Sequence, residues 1–222
     1  MIRCAIFDLD GTLLYTLDSI VYHLNNTLRS SGLKEITVEQ CREFIGNGAR
    51  LLVTRAVGVS GVDDEKTIAR VLKEYNAAYN SEPLPHTYPY DGITELIDAL
   101  VESGVKVGVV TNKPEPTALQ LSKHFFGDKI TLVRGGREGA ILKPEPTDTL
   151  DMIAAFGTSP ESAAFIGDTC VDIETGKNAH VALSIGVEWG FRDYRELSDA
   201  GADRIVKEPS QILGIIREYE EN

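Results

Sequence analysis

At 222 residues the chain is too long for a disulfide-stapled miniprotein and long enough for one sizeable core with a smaller lobe. Its 22 Lys+Arg against 34 Asp+Glu give a net charge of −12, which argues against nucleic acid or anionic membrane as partners, since a polyanion is held by a basic surface. A composition of 42% hydrophobic and 25% charged residues is that of a folded globular protein, and small anions stay open because they respond to local donors.

The apolar run 2–7 predicts a buried first strand. From 18 to 80 the apolar positions (Ile20, Leu24, Leu28; Leu51, Leu52, Val53; Ile68, Val71, Leu72, Tyr75) follow helical spacing without one convincing strand. An all-helical insertion directly after the first strand reads as a cap over 16–85, leaving 1–15 and 86–222 as the core. The return linker, 81–92, carries Pro83, Pro85 and Pro89, which predict no regular structure, and two linkers side by side would make a hinge. Beyond it, helices over 93–102, 116–125, 147–156 and 172–178 alternate with strands over 105–110, 129–133, 163–166 and 181–185, with a possible edge strand at 203–206. This alternation predicts an α/β fold, a doubly wound parallel sheet with crossover helices. One echo, Lys113-Pro114-Glu115-Pro116-Thr117 and Lys143-Pro144-Glu145-Pro146-Thr147, fits two helix starts built alike and leaves its lysines to be explained.

Cys4, Cys41 and Cys170 are far apart and form no CxxC pair, which fits a reducing compartment and no zinc site. Asp8 and Asp10 come too early for a signal peptide, and no apolar run approaches the roughly 18 residues of a membrane span. The expected location is the cytoplasm.

In an open parallel sheet, ligands bind beyond the carboxyl ends of the strands. The first strand ends in Asp8-Leu9-Asp10-Gly11, two acids that repel unless a cation or shared proton compensates them, although the string alone also reads as a turn. Thr111, Asn112 and Lys113 follow the second strand, Lys143 sits in a proline-restrained loop, and Gly167-Asp168-Thr169-Cys170-Val171-Asp172 adds two more acids at a strand end. Each feature alone has a bland reading as loop or helix-start material. Together, four carboxylates, a hydroxyl and a lysine on one sheet edge fit a magnesium ion and a phosphate. No GxGxxG opens a helix, and Gly176-Lys177 lacks the upstream glycine of a phosphate-binding loop.

These motifs, Asp8-Leu9-Asp10-Gly11-Thr12-Leu13, Thr111-Asn112-Lys113-Pro114, Lys143-Pro144 and Gly167-Asp168 with Asp172, resemble in order and rough spacing those of the haloacid dehalogenase-like hydrolases, phosphoglycolate-phosphatase-like branch. The resemblance extends to Phe44-Ile45-Gly46-Asn47-Gly48-Ala49-Arg50 and to the stretch Gly186 to Phe191; Tyr15 and Thr16 stand where the family often has Asp then Ser. It implies a Rossmann-like core with a helical cap, and Asp8 as a nucleophile that becomes an aspartyl-phosphate. It implies Asp10 as acid and then base, Thr111 and Lys143 on the transferring phosphoryl group, and magnesium held by Asp8, Asp10 through its carbonyl and Asp168, with Asp172 acting through water. Asn112, Gly46, Asn47, Gly48 and Arg50 become candidates for substrate binding, with Arg50 suited to a small carboxylate.

The implied activity is hydrolysis of a small phosphorylated metabolite, first of all 2-phosphoglycolate. A pyrophosphatase, a nucleotide or sugar phosphatase and a phosphosugar mutase stay open as alternatives. A dehalogenase does not need Asp10, and a phosphoreceiver or phosphate-binding regulatory domain leaves the cap unexplained. Oligomeric state has no signature in the sequence.

Overall fold

The computed structural model describes residues 1–221. In chain order the elements are β1 (Cys4–Phe7), β2 (Leu14–Tyr15), α1 (Leu17–Ser30), α2 (Val38–Phe44), α3 (Ala49–Gly58), α4 (Glu65–Ser81), β3 (Tyr88–Pro89), α5 (Ile93–Glu102) and β4 (Lys106–Pro114). They continue as α6 (Glu115–Phe126), β5 (Ile130–Gly136), α7 (Thr147–Ala155), β6 (Ala163–Gly167), α8 (Cys170–Asn178), β7 (Leu183–Val187), α9 (Tyr194–Asp199), β8 (Arg204–Val206) and α10 (Pro209–Glu221).

Six strands form one parallel sheet in the order β5-β4-β1-β6-β7-β8. Both faces are covered, so β1 is buried at every residue. Its side chains divide by the strand period of two: Ala5 and Phe7 join the core made with Ile97 of α5, Leu121 of α6 and Ile212 of α10. Cys4 and Ile6 face Met152, Ile153 and Phe165 on the other side. The chain leaves β1 toward β4 and β5, then returns to the opposite side of β1 as β6. That reversal opens a crevice at the carboxyl ends of β1 and β6, where an open α/β sheet binds its ligand.

Helices α1 to α4 build a second core of their own. Ile20, Leu24 and Leu28 recur every four residues along α1, as do Val71, Tyr75 and Tyr79 along α4, and both stripes pack on Leu52, Val53 and Ala56 of α3. Thr37 closes a capping box with Gln40 at the start of α2, and Asp64 accepts from Thr67 N at 2.9 Å at the start of α4.

The linkers differ from their sequence reading. Residues 81–92 are not wholly irregular: β3 pairs antiparallel with β2, Leu14 opposite Pro89 and Tyr15 opposite Tyr88. A two-stranded ribbon has only edges, where proline's missing N–H is tolerated. Tyr15 stacks on Tyr88 across this ribbon with ring centroids 5.0 Å apart. β4 also runs to Pro114, four residues past its expected end, with a register shift between Val110 and Pro114. The two halves of the echo both lead into helices but are not built alike. Glu115 is the first residue of α6 and accepts from Gly135 N at 3.0 Å, whereas Glu145 precedes α7 and accepts from Thr147 N at 2.9 Å. Among the described residues, no helix is long and apolar enough to cross a membrane.

Candidate active site

Asp8 still belongs to the sheet, its N–H donating to Ile166 O at 2.9 Å, so its side chain is fixed by a central strand. The chain then turns sharply: the amides of Leu13 and Leu14 both return to Leu9 O. Gly11 has φ +84°, and a side chain there would collide with the Asp168 carboxylate. Thr12 Oγ1 donates to Asp168 Oδ1 at 2.9 Å and Phe191 N donates to Oδ2 at 2.8 Å, fixing that carboxylate at the end of β6. Asp172, in the first turn of α8, accepts at Oδ2 from Thr169 N and Oγ1 at 3.0 and 2.7 Å.

Asp8, Asp168 and Asp172 thus converge, one carboxylate oxygen of each lying within 4.8 Å of the others. Lys143 Nζ bridges two of them, 2.7 Å from Asp172 Oδ1 and 2.9 Å from Asp8 Oδ1. Asp8 Oδ1 is buried, and beyond this ion pair it receives no aligned hydrogen bond. Burial pushes the Asp8 carboxyl up to about 6, Lys143 opposing the shift and the Asp172 and Asp10 charges adding to it. Burial, with Asp172 and Asp8 nearby, drives Asp168 well above the carboxylate range. Burial alone would lower the Lys143 ammonium, but Asp172 and Asp8 more than offset it and hold it above its ordinary value. Three buried acids around one ammonium leave negative charge uncompensated, and their hard oxygen donors fit a hard divalent cation.

Asp10 lies on the pocket side of this cluster. Its two oxygens receive Lys113 Nζ at 2.9 and 3.1 Å, and the same ammonium donates to Tyr79 Oη at 2.8 Å. Burial lowers the Lys113 ammonium, with Asp10 opposing the shift. Thr111, 4% exposed, lines the same pocket beside Asp8 and Asp10. The opposite wall is apolar and aromatic: Ile20, Ile45, Leu52, Tyr75 and Tyr79 from the helical lobe, with Phe191 from the loop after β7.

The remaining candidates are dispersed. Gly46 and Gly48 line the pocket with φ of +113° and +87°, a loop that side chains would strain. Asn112 reaches the wall, but its amide is spent on backbone: Oδ1 accepts from Lys143 N at 2.8 Å, and Nδ2 donates to Lys143 O at 3.2 Å and Gly46 O at 3.0 Å. It clips two loops together instead of offering free groups. Asn47 is exposed and accepts from Arg55 at 3.4 Å. Arg50 does not reach the pocket, because its guanidinium turns outward to Glu65 at 2.7 and 2.8 Å. Sequence reasoning passed over Tyr79 and treated Lys113 only as a loop donor. The available signal was two tyrosines four apart in a stripe otherwise built of aliphatic residues.

A sequence description of the haloacid dehalogenase-like hydrolases matches residues 5–185, which runs from within β1 into β7 and takes in every polar candidate residue that the sequence offered. The chain belongs to that family. Among haloacid dehalogenase-like hydrolases, a phosphoglycolate phosphatase of Rhodospirillum rubrum is 33% identical over 236 residues, covering 95% of this chain and 98% of the relative. An N-acetylmuramic acid 6-phosphate phosphatase of Pseudomonas aeruginosa is 29% identical over 218 residues, with 97% and 95% covered. A crystal structure from Lactobacillus delbrueckii subsp. bulgaricus superposes with TM-score 0.90 at 29% identity, covering 96% of this chain and 98% of that one.

Proposed function

We propose that this haloacid dehalogenase-like hydrolase is a magnesium-dependent phosphatase of small phosphate monoesters, with 2-phosphoglycolate as its first-choice substrate. The single observation that carries the reading is the convergence of Asp8, Asp168, Asp172 and Lys143, beside Thr111 and Asp10, at the mouth of β1. In this reading Asp8 attacks phosphorus and becomes an aspartyl-phosphate, which splits one hard hydrolysis into two easier steps. Asp10 protonates the leaving oxygen and then deprotonates the attacking water. Thr111 and Lys143 bind the transferring phosphoryl oxygens, where preorganised donors act on rearranging charge.

Asp8, Asp168 and the Asp10 carbonyl would hold magnesium, with Asp172 acting through water, and the ion would supply the charge that lets an anionic nucleophile meet an anionic ester. Residues 16–85 act as a cap whose apolar wall excludes water from the pocket. The three free cysteines support a cytoplasmic location.

A sugar phosphate is the second reading, favoured by one observation. The cap wall presents Tyr75, Tyr79 and Leu52, and Arg50, the residue suited to a small carboxylate, points away to Glu65. The deciding experiment is a panel of phosphate monoesters ranked by kcat/KM with magnesium and with EDTA. A highest value for 2-phosphoglycolate supports the first substrate, and one for a hexose phosphate supports the second. Metal-independent turnover of equal rate would sink both.

A further inference from the structure

Lys113 is a buried lysine to which the phosphatase reading assigns no task. Its ammonium grips both oxygens of Asp10, donates to Tyr79 Oη at 2.8 Å and lies 4.2 Å from the centre of the Tyr79 ring. The three partners come from three places: Asp10 from the turn after β1, Lys113 from the irregular end of β4, and Tyr79 from the last turns of α4 in the helical lobe. One ammonium therefore joins the lobe to a carboxyl of the sheet. Phenylalanine would fill the volume of Tyr79, which is 2% exposed. A buried hydroxyl is unfavourable unless hydrogen-bonded; the Tyr79 oxygen accepts from Lys113, with the Ser19 hydroxyl as a further partner inside the lobe.

We infer that Tyr79 is a positioning residue for proton transfer to the leaving group: it holds Lys113 against Asp10, so Asp10 is aligned only while α4 is seated on the sheet. The inference rests on the phosphatase reading. As Asp8 bonds to phosphorus, the ester P–O bond breaks and leaves its electron pair on the departing oxygen. Asp10 gives that oxygen its proton and becomes the carboxylate that Lys113 stabilises. In the second half, water bonds to phosphorus, the bond from phosphorus to Asp8 breaks, and Asp10 takes the water's proton, yielding orthophosphate. Lys113 and Tyr79 keep their protons throughout.

An alkoxide leaving group needs that proton, whereas p-nitrophenolate leaves without it. The test compares kcat/KM for p-nitrophenyl phosphate with that for 2-phosphoglycolate, or for glucose 6-phosphate if the wild type prefers it, at saturating magnesium. Tyr79→Phe is expected to lower the alkyl-to-aryl ratio about tenfold, the loss of one hydrogen bond to a charged group. Equal losses on both esters would mean that Tyr79 only packs the lobe, and would overturn the inference. In a Lys113→Met background, Tyr79→Phe should change the ratio no further; multiplying effects would overturn it as well. Should Tyr79→Phe fail to fold, Lys113→Met alone must lower the ratio at least about tenfold, and an unmoved ratio has the same overturning force. A wild type inactive on every ester overturns the phosphatase reading and this inference with it, whereas an active wild type with an unmoved ratio overturns the inference alone.

Discussion

Above pH 6 the ionised Asp8 is an unfavourable charge in the folded, metal-free protein, because its carboxyl is raised to about 6 from an ordinary 3.8. A raised acid means that the folded state binds more protons than the unfolded one between those values, so stability falls as pH rises and the full penalty is present above about 6. Asp8→Asn removes the penalty along with the proposed nucleophile. At pH 8 in EDTA it is expected to raise Tm by roughly 2–12 °C, for about 1–3 kcal/mol of relieved desolvation and, secondarily, repulsion from Asp172, while abolishing turnover. Magnesium should raise Tm of the wild type more than that of Asp8→Asn, since one proposed ligand is gone. A variant with unchanged Tm, or with residual turnover near that of the wild type, contradicts the assignment. Arg50 is the opposite case. Its partner Glu65 is exposed, and such pairs contribute about 0–1 kcal/mol, so Arg50→Ala should leave KM for 2-phosphoglycolate within about twofold. A tenfold rise would show that the guanidinium swings inward when substrate binds.

Among the elements, α1 carries a pH-sensitive contact. His23 is 5% exposed, its Nε2 lies 3.0 Å from Glu82 O, and its ring packs 5.0 Å from Tyr79. Burial holds its pKa below 6.5, so the unfolded chain takes up the proton first. The stability contributed by neutral His23 is therefore complete above 6.5 and is lost as pH falls from there toward the lower folded value. The urea midpoint should drop between pH 7.5 and 5.5, and His23→Gln should flatten that slope; an equal slope in the variant would assign it to other groups.

This contact was invisible in the sequence, because nothing local says that residue 23 will meet residue 82. The alternating strands and helices of the core were legible, since each carries its period within a few neighbouring residues, and so were the strand-end acids. The β2–β3 ribbon was not, because it joins segments more than 70 residues apart and three prolines spoke against it. The short α9 buries only Leu197, too little to show a period. Arg50 and Asn112 failed differently: residue type suggested binding, but the loops they belong to gave their polar groups nearer partners.

For the whole molecule, the two cores meet largely through polar ties. Arg192, after β7, donates to Arg42 O at 2.7 Å and to Ile45 O at 3.1 Å, Asn112 reaches Gly46 O, and Tyr79 meets Lys113. The lobe's apolar residues cluster with one another and with Phe191 and Tyr15, apart from the core that covers the sheet, so parting the lobe from the sheet exposes little of either interior. Interfaces of this kind permit hinge motion, for which we propose the ribbon of β2 and β3 as the hinge. Removing Arg192 takes away donors that only a seated lobe can receive. Arg192→Ala is expected to shift the free enzyme toward the open arrangement, raising the radius of gyration in solution scattering and KM about three- to tenfold, for roughly 1 kcal/mol of lost closure energy. Its kcat should change less, because bound substrate restores the closed arrangement and the carboxylates at β1 and β6 do not depend on this side chain. A fall in kcat as large as the rise in KM would mean that Arg192 shapes the chemical site itself, through Phe191 N and the Asp168 carboxylate it holds.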